Sequence, residues 1–239
     1  MDVHLQNLAK LHEYEESLRP QNLALIESDA NRREHFKLVG EAMSVLHGFT
    51  RDHVHKSDDE LTVQLLGIRV LNSAAVSIKL ALSGYYQAAF VHVRDILETA
   101  FLLDYMLSNR EKIAVWKVAD KRRLKTEFGP FVIRKALDER DGNKEGNRGK
   151  IYAALSEFAT HVTYRGFQLT TMDDLGEIGG FVDEKQLTAW VEEMAKHLGN
   201  CAMMYSAHFE VDKPELEALR AHYDGVIKGW IRKYLQGNA

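Results

Sequence analysis

The stretch SGYYQAAFVHVRDILETAFLLDYML, residues 83 to 107, decides the fold. Gly84 separates it from an equally apolar run, LTVQLLGIRVLNSAAVSIKLAL at 61–82. Two long apolar segments meeting at a glycine predict two helices packed antiparallel. At about 100° per residue, Gln87, Val91, Arg94, Glu98, Phe101, Leu102 and Tyr105 share one stripe of the second helix, and Ala89, Val93, Ile96, Ala100, Leu103 and Leu107 share the opposite one. A helix apolar on nearly all sides belongs at the centre of a fold. The segment 85–108 is therefore expected to be the central buried helix of an all-α, single-domain antiparallel bundle.

Arg94 and Glu98, four residues apart, are the exception on that stripe. Burying an unpaired charge costs several kcal/mol, so the two either pair with each other or border a polar cavity. In the second case the Arg94 fork is free to hold an anion, with Glu98 fixing its orientation. His92 and Asp95 project from other faces, so HVRDILE is not a one-sided metal cluster.

Working outward, the remaining chain reads as helical. Pro20, Pro130 and Pro214 are the only prolines, and each stands where a helix can begin. Helices are expected at 3–18, 21–55, 58–82, 85–108, 110–127, 130–140, 147–162, 183–210 and 214–235. Ser57 before Asp58 and Asp59, and Asp212 before Pro214, are the start signals. RDGNKEGNRG (140–149) is a charged, glycine-rich connector, and TYRGFQLTTMDDLGEIGGFV (163–182) is a loop long enough to suggest a lid. The C-terminal helix presents Leu216, Leu219, Tyr223, Val226, Ile227, Trp230 and Tyr234 as one face, for the bundle or for another subunit.

In KIYAALSEFATHV (150–162), Ile151, Leu155, Phe158 and Val162 form the core stripe. Tyr152 and Ser156 flank it on one side and His161 lies on the other. If the helix ends near Thr160, His161 can turn inward with Tyr164 and Arg165.

Global properties narrow the function. A net charge of -4 gives no overall attraction to nucleic acid or anionic lipid. One cysteine, Cys201, excludes intrachain disulfides and thiolate-rich metal sites. The first 20 residues lack the basic start and apolar run of a secretory signal, and no stretch offers about 20 uninterrupted apolar residues to span a bilayer. A cytoplasmic protein that engages no membrane is expected. His197, Cys201 and His208 share a helix face, but eleven residues separate the two histidines, about 16 Å along a helix. With Trp190, Met194 and Met204 around them they read as core, so no metal and no cofactor is expected. His53 and His55 read as a solvated turn, and the basic run KVADKRRLKTEF (117–128) as a solvated helix. No P-loop, dinucleotide-binding glycine pattern, G-x-S-x-G or H-E-x-x-H is present.

Taken together, SGYYQAAFVHVRDILETAFLLDYML and KIYAALSEFATHV resemble a bacterial group of uncharacterised helical proteins. Their shared pattern is a glycine-led helix with Arg and Glu four apart, followed by a Tyr-x-x-Leu-Ser…His helix. That group is similar to the HEPN (higher eukaryotes and prokaryotes nucleotide-binding) superfamily, which includes RNases, toxin–antitoxin components and non-catalytic binding modules. The likeness covers about residues 60–165. It implies a HEPN-like core at 58–165 between N-terminal helices (1–57) and C-terminal helices (183–239). It also implies that Arg94, Glu98, Tyr152, Ser156 and His161 converge between two helices, and a role in bacterial stress or phage defence.

One departure stands out. HEPN nucleases place His after Arg with four to six residues between, and no such pair occurs here: RDHVH (51–55), RREH (32–35) and RAH (220–222) are all spaced more tightly. Three functions remain open from the sequence. The first is a binding protein for an anionic small molecule or an RNA phosphate. The second is a ribonuclease or phosphotransfer enzyme using His161 and Arg94. The third is a structural homo-oligomer in which Arg94–Glu98 is only a buried pair.

Overall fold

The computed structural model describes residues 2–173 and 175–236. Within them the order is α1 (Val3–Ser28), α2 (Ala30–Arg51), α3 (Asp58–Leu82), α4 (Tyr86–Ser108), α5 (Glu111–Lys117), α6 (Lys121–Glu127), α7 (Pro130–Arg140) and α8 (Asn147–Leu155), then α9 (Glu184–Ser206) and α10 (Pro214–Tyr234). Between α8 and α9 lie a π turn (Ser156–Thr160), a 3-10 turn (Arg165–Thr170) and a two-stranded hairpin, β1 (Thr171–Met172) with β2 (Leu175–Gly176). The fold is an all-α bundle.

α4 is the hub. It packs on α3 and α9 on one side and on α7 and α8 on the other, while α2 lies across α3 and α9 and α10 closes over α2. Its stripe of Ala89, Val93, Ile96, Ala100 and Leu103 is fully buried, as its apolar periodicity requires. The α10 face through Leu216, Tyr223, Ile227 and Trp230 is buried on the bundle.

The α3–α4 join is a Schellman cap. Tyr85 N–H donates to Leu80 O at 2.8 Å and Gly84 N–H to Ala81 O at 3.0 Å, with Gly84 at φ +79°. The backbone of residues 180–181 crosses this turn, where a Cβ on Gly84 would stand 2.3 Å from the Phe181 backbone. Buried polar groups are matched around it. Asn22 donates to Leu82 O and accepts from Tyr86 Oη, which in turn accepts from Asp183 N–H. Deeper in the core, the Trp190 indole donates to Ser77 Oγ at 3.0 Å.

Several helix ends and caps differ from the sequence expectation. Pro20 does not start a helix but lies inside α1. Leu18, Asn22 and Ile26 form one buried stripe only if the helix runs through Pro20, whose own face is exposed, so the carbonyl it leaves unbonded can be hydrated. The break falls instead at Asp29, whose carboxylate caps α2 by accepting from Arg32 N–H at 2.9 Å. Asp120 likewise caps α6 and divides the expected 110–127 helix. The 147–162 helix leaves the α-form at Ser156, where His161 N–H bonds five residues back to Ser156 O at 2.8 Å. Asp212 does not cap α10; the cap position is Lys213, and Asp212 pairs with Lys56 at 2.8 Å.

By length and composition α3 is long and apolar enough to cross a membrane. The helix is interrupted by Arg69 and Lys79, and 44% of its apolar stretch is buried within the bundle.

Candidate functional site

Four of the five residues singled out in the sequence are joined in one network between α4 and α8. Arg94 Nε donates to Ser156 Oγ at 2.9 Å, and Arg94 Nη2 donates to the Tyr152 hydroxyl. That hydroxyl donates to Glu98 Oε2 at 3.3 Å, and Glu98 lies 3.5 Å from Arg94 Nη2. Arg94 is 21% exposed and Glu98 41%, so this is a half-buried polar seam and not a sealed ion pair. The i, i+4 spacing on each helix creates it: Arg94 and Glu98 face across to Tyr152 and Ser156.

His161 stands apart. It follows the π turn in extended conformation, its side chain is exposed, and among the described residues it bonds to none of the other four. The helix ends with the π turn at Thr160, and His161 leaves it in extended conformation, so no helical face carries its side chain to the seam. The inward turn with Tyr164 and Arg165 does not occur either: Tyr164 is exposed and Arg165 pairs with Glu157 at 3.4 Å.

Two residues the sequence reading passed over complete the site. Asp95, set aside as off-face, accepts from Ser73 Oγ at 2.7 Å and pairs with Arg69, binding α4 to α3. Arg134 of α7 stacks its guanidinium 3.9 Å from the Tyr152 ring centroid, and Arg94 stacks on the same ring at 4.5 Å. Arg134 Nη1 is buried without a hydrogen-bond partner. Nothing local to FVIRKALDER (131–140) marks it in the sequence.

Arg134 also lines a cavity of about 550 Å³ between α7 and the glycine-rich connector. The two acids of that lining are already engaged, Asp138 by Arg148 at 2.8 Å and Glu139 by Lys135 at 3.7 Å. Arg134 and Lys144 have no carboxylate within ion-pair distance among the described residues. The connector turns at Gly142 and Gly146, both with positive φ, and with Gly149 they put bare backbone on part of the cavity wall. A chamber with spare cations and an open backbone wall is suited to an anion.

The other constellations sit in the core. His197 bonds Glu193 Oε2 at 2.8 Å, Cys201 is completely buried with its thiol pKa pushed up by burial, and His208 Nε2 donates to Leu103 O at 3.0 Å. Among the described residues no three His, Cys, Asp or Glu side chains are placed to hold a metal ion.

No protein-family model, curated protein or solved structure matches this chain.

Proposed function

We propose that this chain is a binding protein for a small anionic ligand, such as a phosphorylated molecule, received in the cavity between α7 and the 140–149 connector. The observation that carries this reading is Arg134, which lines the cavity with no carboxylate in ion-pair distance among the described residues and whose Nη1 is buried without a hydrogen-bond partner. Leaving a guanidinium N–H buried and unbonded costs about 1–3 kcal/mol, a deficit that an anion drawing the guanidinium into the cavity would remove. Arg94 and Tyr152 act behind it. Tyr152 supplies the surface on which Arg134 lies, and Arg94, held by Ser156, adds a second positive charge that the half-exposed Glu98 only partly offsets.

The cavity volume suits a small molecule, whereas an RNA strand needs an extended basic groove. The likeness to HEPN proteins agrees with phosphate recognition in bacterial stress or phage defence. A phosphotransfer role for His161 and Arg94 is less well supported, because His161 contributes to neither the seam nor the cavity. The homo-oligomer reading has one observation in its favour. Leu61, Leu65, Ile68 and Val76 form an exposed apolar stripe along α3, which a second copy would cover.

Calorimetric titration with pyrophosphate, a nucleoside triphosphate and a short single-stranded RNA tests the proposal. Binding of a phosphorylated small molecule that weakens at least tenfold in Arg134→Gln, and does not weaken in Glu98→Gln, is the expected result. Equal binding by Arg134→Gln would remove the reading, and tighter binding of RNA than of either small molecule would replace it.

A further inference from the structure

A second, larger cavity lies on the other side of α8. It measures about 710 Å³ and is walled by α8 with its π turn, by α9, and by the segment around the 3-10 turn. Phe90, Ile151, Leu155 and Phe158 make one wall apolar. Gln186, Ala189, Glu193 and Lys196, at steps of three and four residues, place one stripe of α9 on the opposite wall. α8 therefore serves both sites, with Tyr152 and Ser156 turned to Arg94 and Ile151 and Leu155 turned to this cavity.

The polar end has a defined character. Gln186 is 8% exposed, and its Nε2 donates to Gln168 O at 3.2 Å and Thr171 O at 3.0 Å. Two carbonyl partners fix the amide orientation, so the remaining atom, Oε1, is an acceptor; it is buried and has no partner. Carboxylates also predominate around it. Lys196 is matched by Glu193 at 3.3 Å, which leaves Asp173 and Asp183 against Lys185 alone. An apolar wall facing an acceptor-rich, net negative end selects an apolar body with a donor head.

We infer that this cavity binds an amphipathic amine, with its hydrocarbon or aromatic part against Phe90, Leu155 and Phe158 and its ammonium group towards Gln186 and Asp183. The site is independent of the anion site, and its ligand carries the opposite charge. Binding also engages the 165–172 segment, because Gln186 already ties Gln168 and Thr171 to α9.

The test uses dansylcadaverine, a fluorescent amine with an apolar ring system, titrated into the full chain. Saturable fluorescence enhancement is expected, reversed by octylamine at a concentration at least tenfold lower than octanoate requires. Ala189→Trp and Ala154→Trp fill the cavity from opposite walls at exposed positions, and each should weaken the probe at least tenfold with the helical circular dichroism retained. Arg134→Gln should leave probe affinity within twofold, so failure of the anion site and failure of this one are read separately. Absence of saturable binding, equal displacement by octanoate, or full affinity in both tryptophan variants would overturn the inference.

Discussion

Arg94 Nε donates to Ser156 Oγ at 2.9 Å, and this bond joins the central helix to the residue at which α8 changes from α to π winding. Ser156 is 5% exposed, so removing its hydroxyl leaves the Arg94 N–H with little access to water. Ser156→Ala is expected to lower the unfolding free energy by about 1–2 kcal/mol, measured by urea denaturation. An unchanged urea midpoint would mean that Arg94 finds another acceptor as good.

Tyr152 holds the seam in two ways, by its hydroxyl and by its ring. Tyr152→Phe removes the bonds to Arg94 and Glu98 and keeps the stacking surface; Tyr152→Leu removes both. The leucine variant is expected to be less stable than the phenylalanine variant by about 1 kcal/mol. A double-mutant cycle with Arg134→Met isolates the ring's share, and a coupling energy near zero would show that the stack adds nothing.

Gly84 combines a left-handed φ of +79° with a neighbour 2.3 Å from where a Cβ would stand. Gly84→Ala must accept the backbone strain and also displace residues 180–181. A loss of about 2–4 kcal/mol is expected. Gly142, also at positive φ but with open space around it, is the control: Gly142→Ala should lose only about 1–2 kcal/mol.

Acid should weaken the fold from about pH 6.5 downward. Burial lowers the pKa of His35 and of His208 from the usual 6.5. His35 Nδ1 accepts the Trp230 indole N–H at 2.9 Å, a bond that protonation of that nitrogen destroys. A histidine with a lowered folded pKa is protonated first in the unfolded chain. Its contribution is therefore complete above pH 6.5 and declines as pH falls towards the folded value. Each group sets a slope of at most about 1.4 kcal/mol per pH unit. Denaturation at pH 7.5, 6.5 and 5.5 measures it, and His208→Gln, whose amide can still reach Leu103 O, should flatten the curve.

The sequence showed the fold best where the pattern was local and repeated. The 83–107 stretch placed the central helix because its apolar periodicity is nearly complete, and Gly84 marked the turn because few other residues tolerate that conformation. Pro20 misled for the opposite reason. Its local preference for a helix start was outweighed by the buried stripe of Leu18, Asn22 and Ile26, a tertiary effect. The seam was half legible: two i, i+4 pairs are visible within single helices, but their meeting depends on packing. Arg134 was invisible because its importance lies in having no partner, and a sequence does not display a missing bond. His161 lies just past the helix end, where periodicity no longer says which way a side chain points.

The crossing of residues 180–181 over the α3–α4 turn has a consequence for how the chain can be divided. Tyr14 donates to Gly180 O, Phe181 N–H to Gly84 O, and Asn22 links Leu82 with Tyr86. Segments from the beginning, the middle and the last third of the chain are thus fastened at one place. A fragment lacking either the first 28 residues or those after 178 would expose this junction and leave its buried polar groups unmatched. The bundle should accordingly melt in one cooperative step, and a protease cut within the 140–149 connector should leave two pieces that separate only on denaturation.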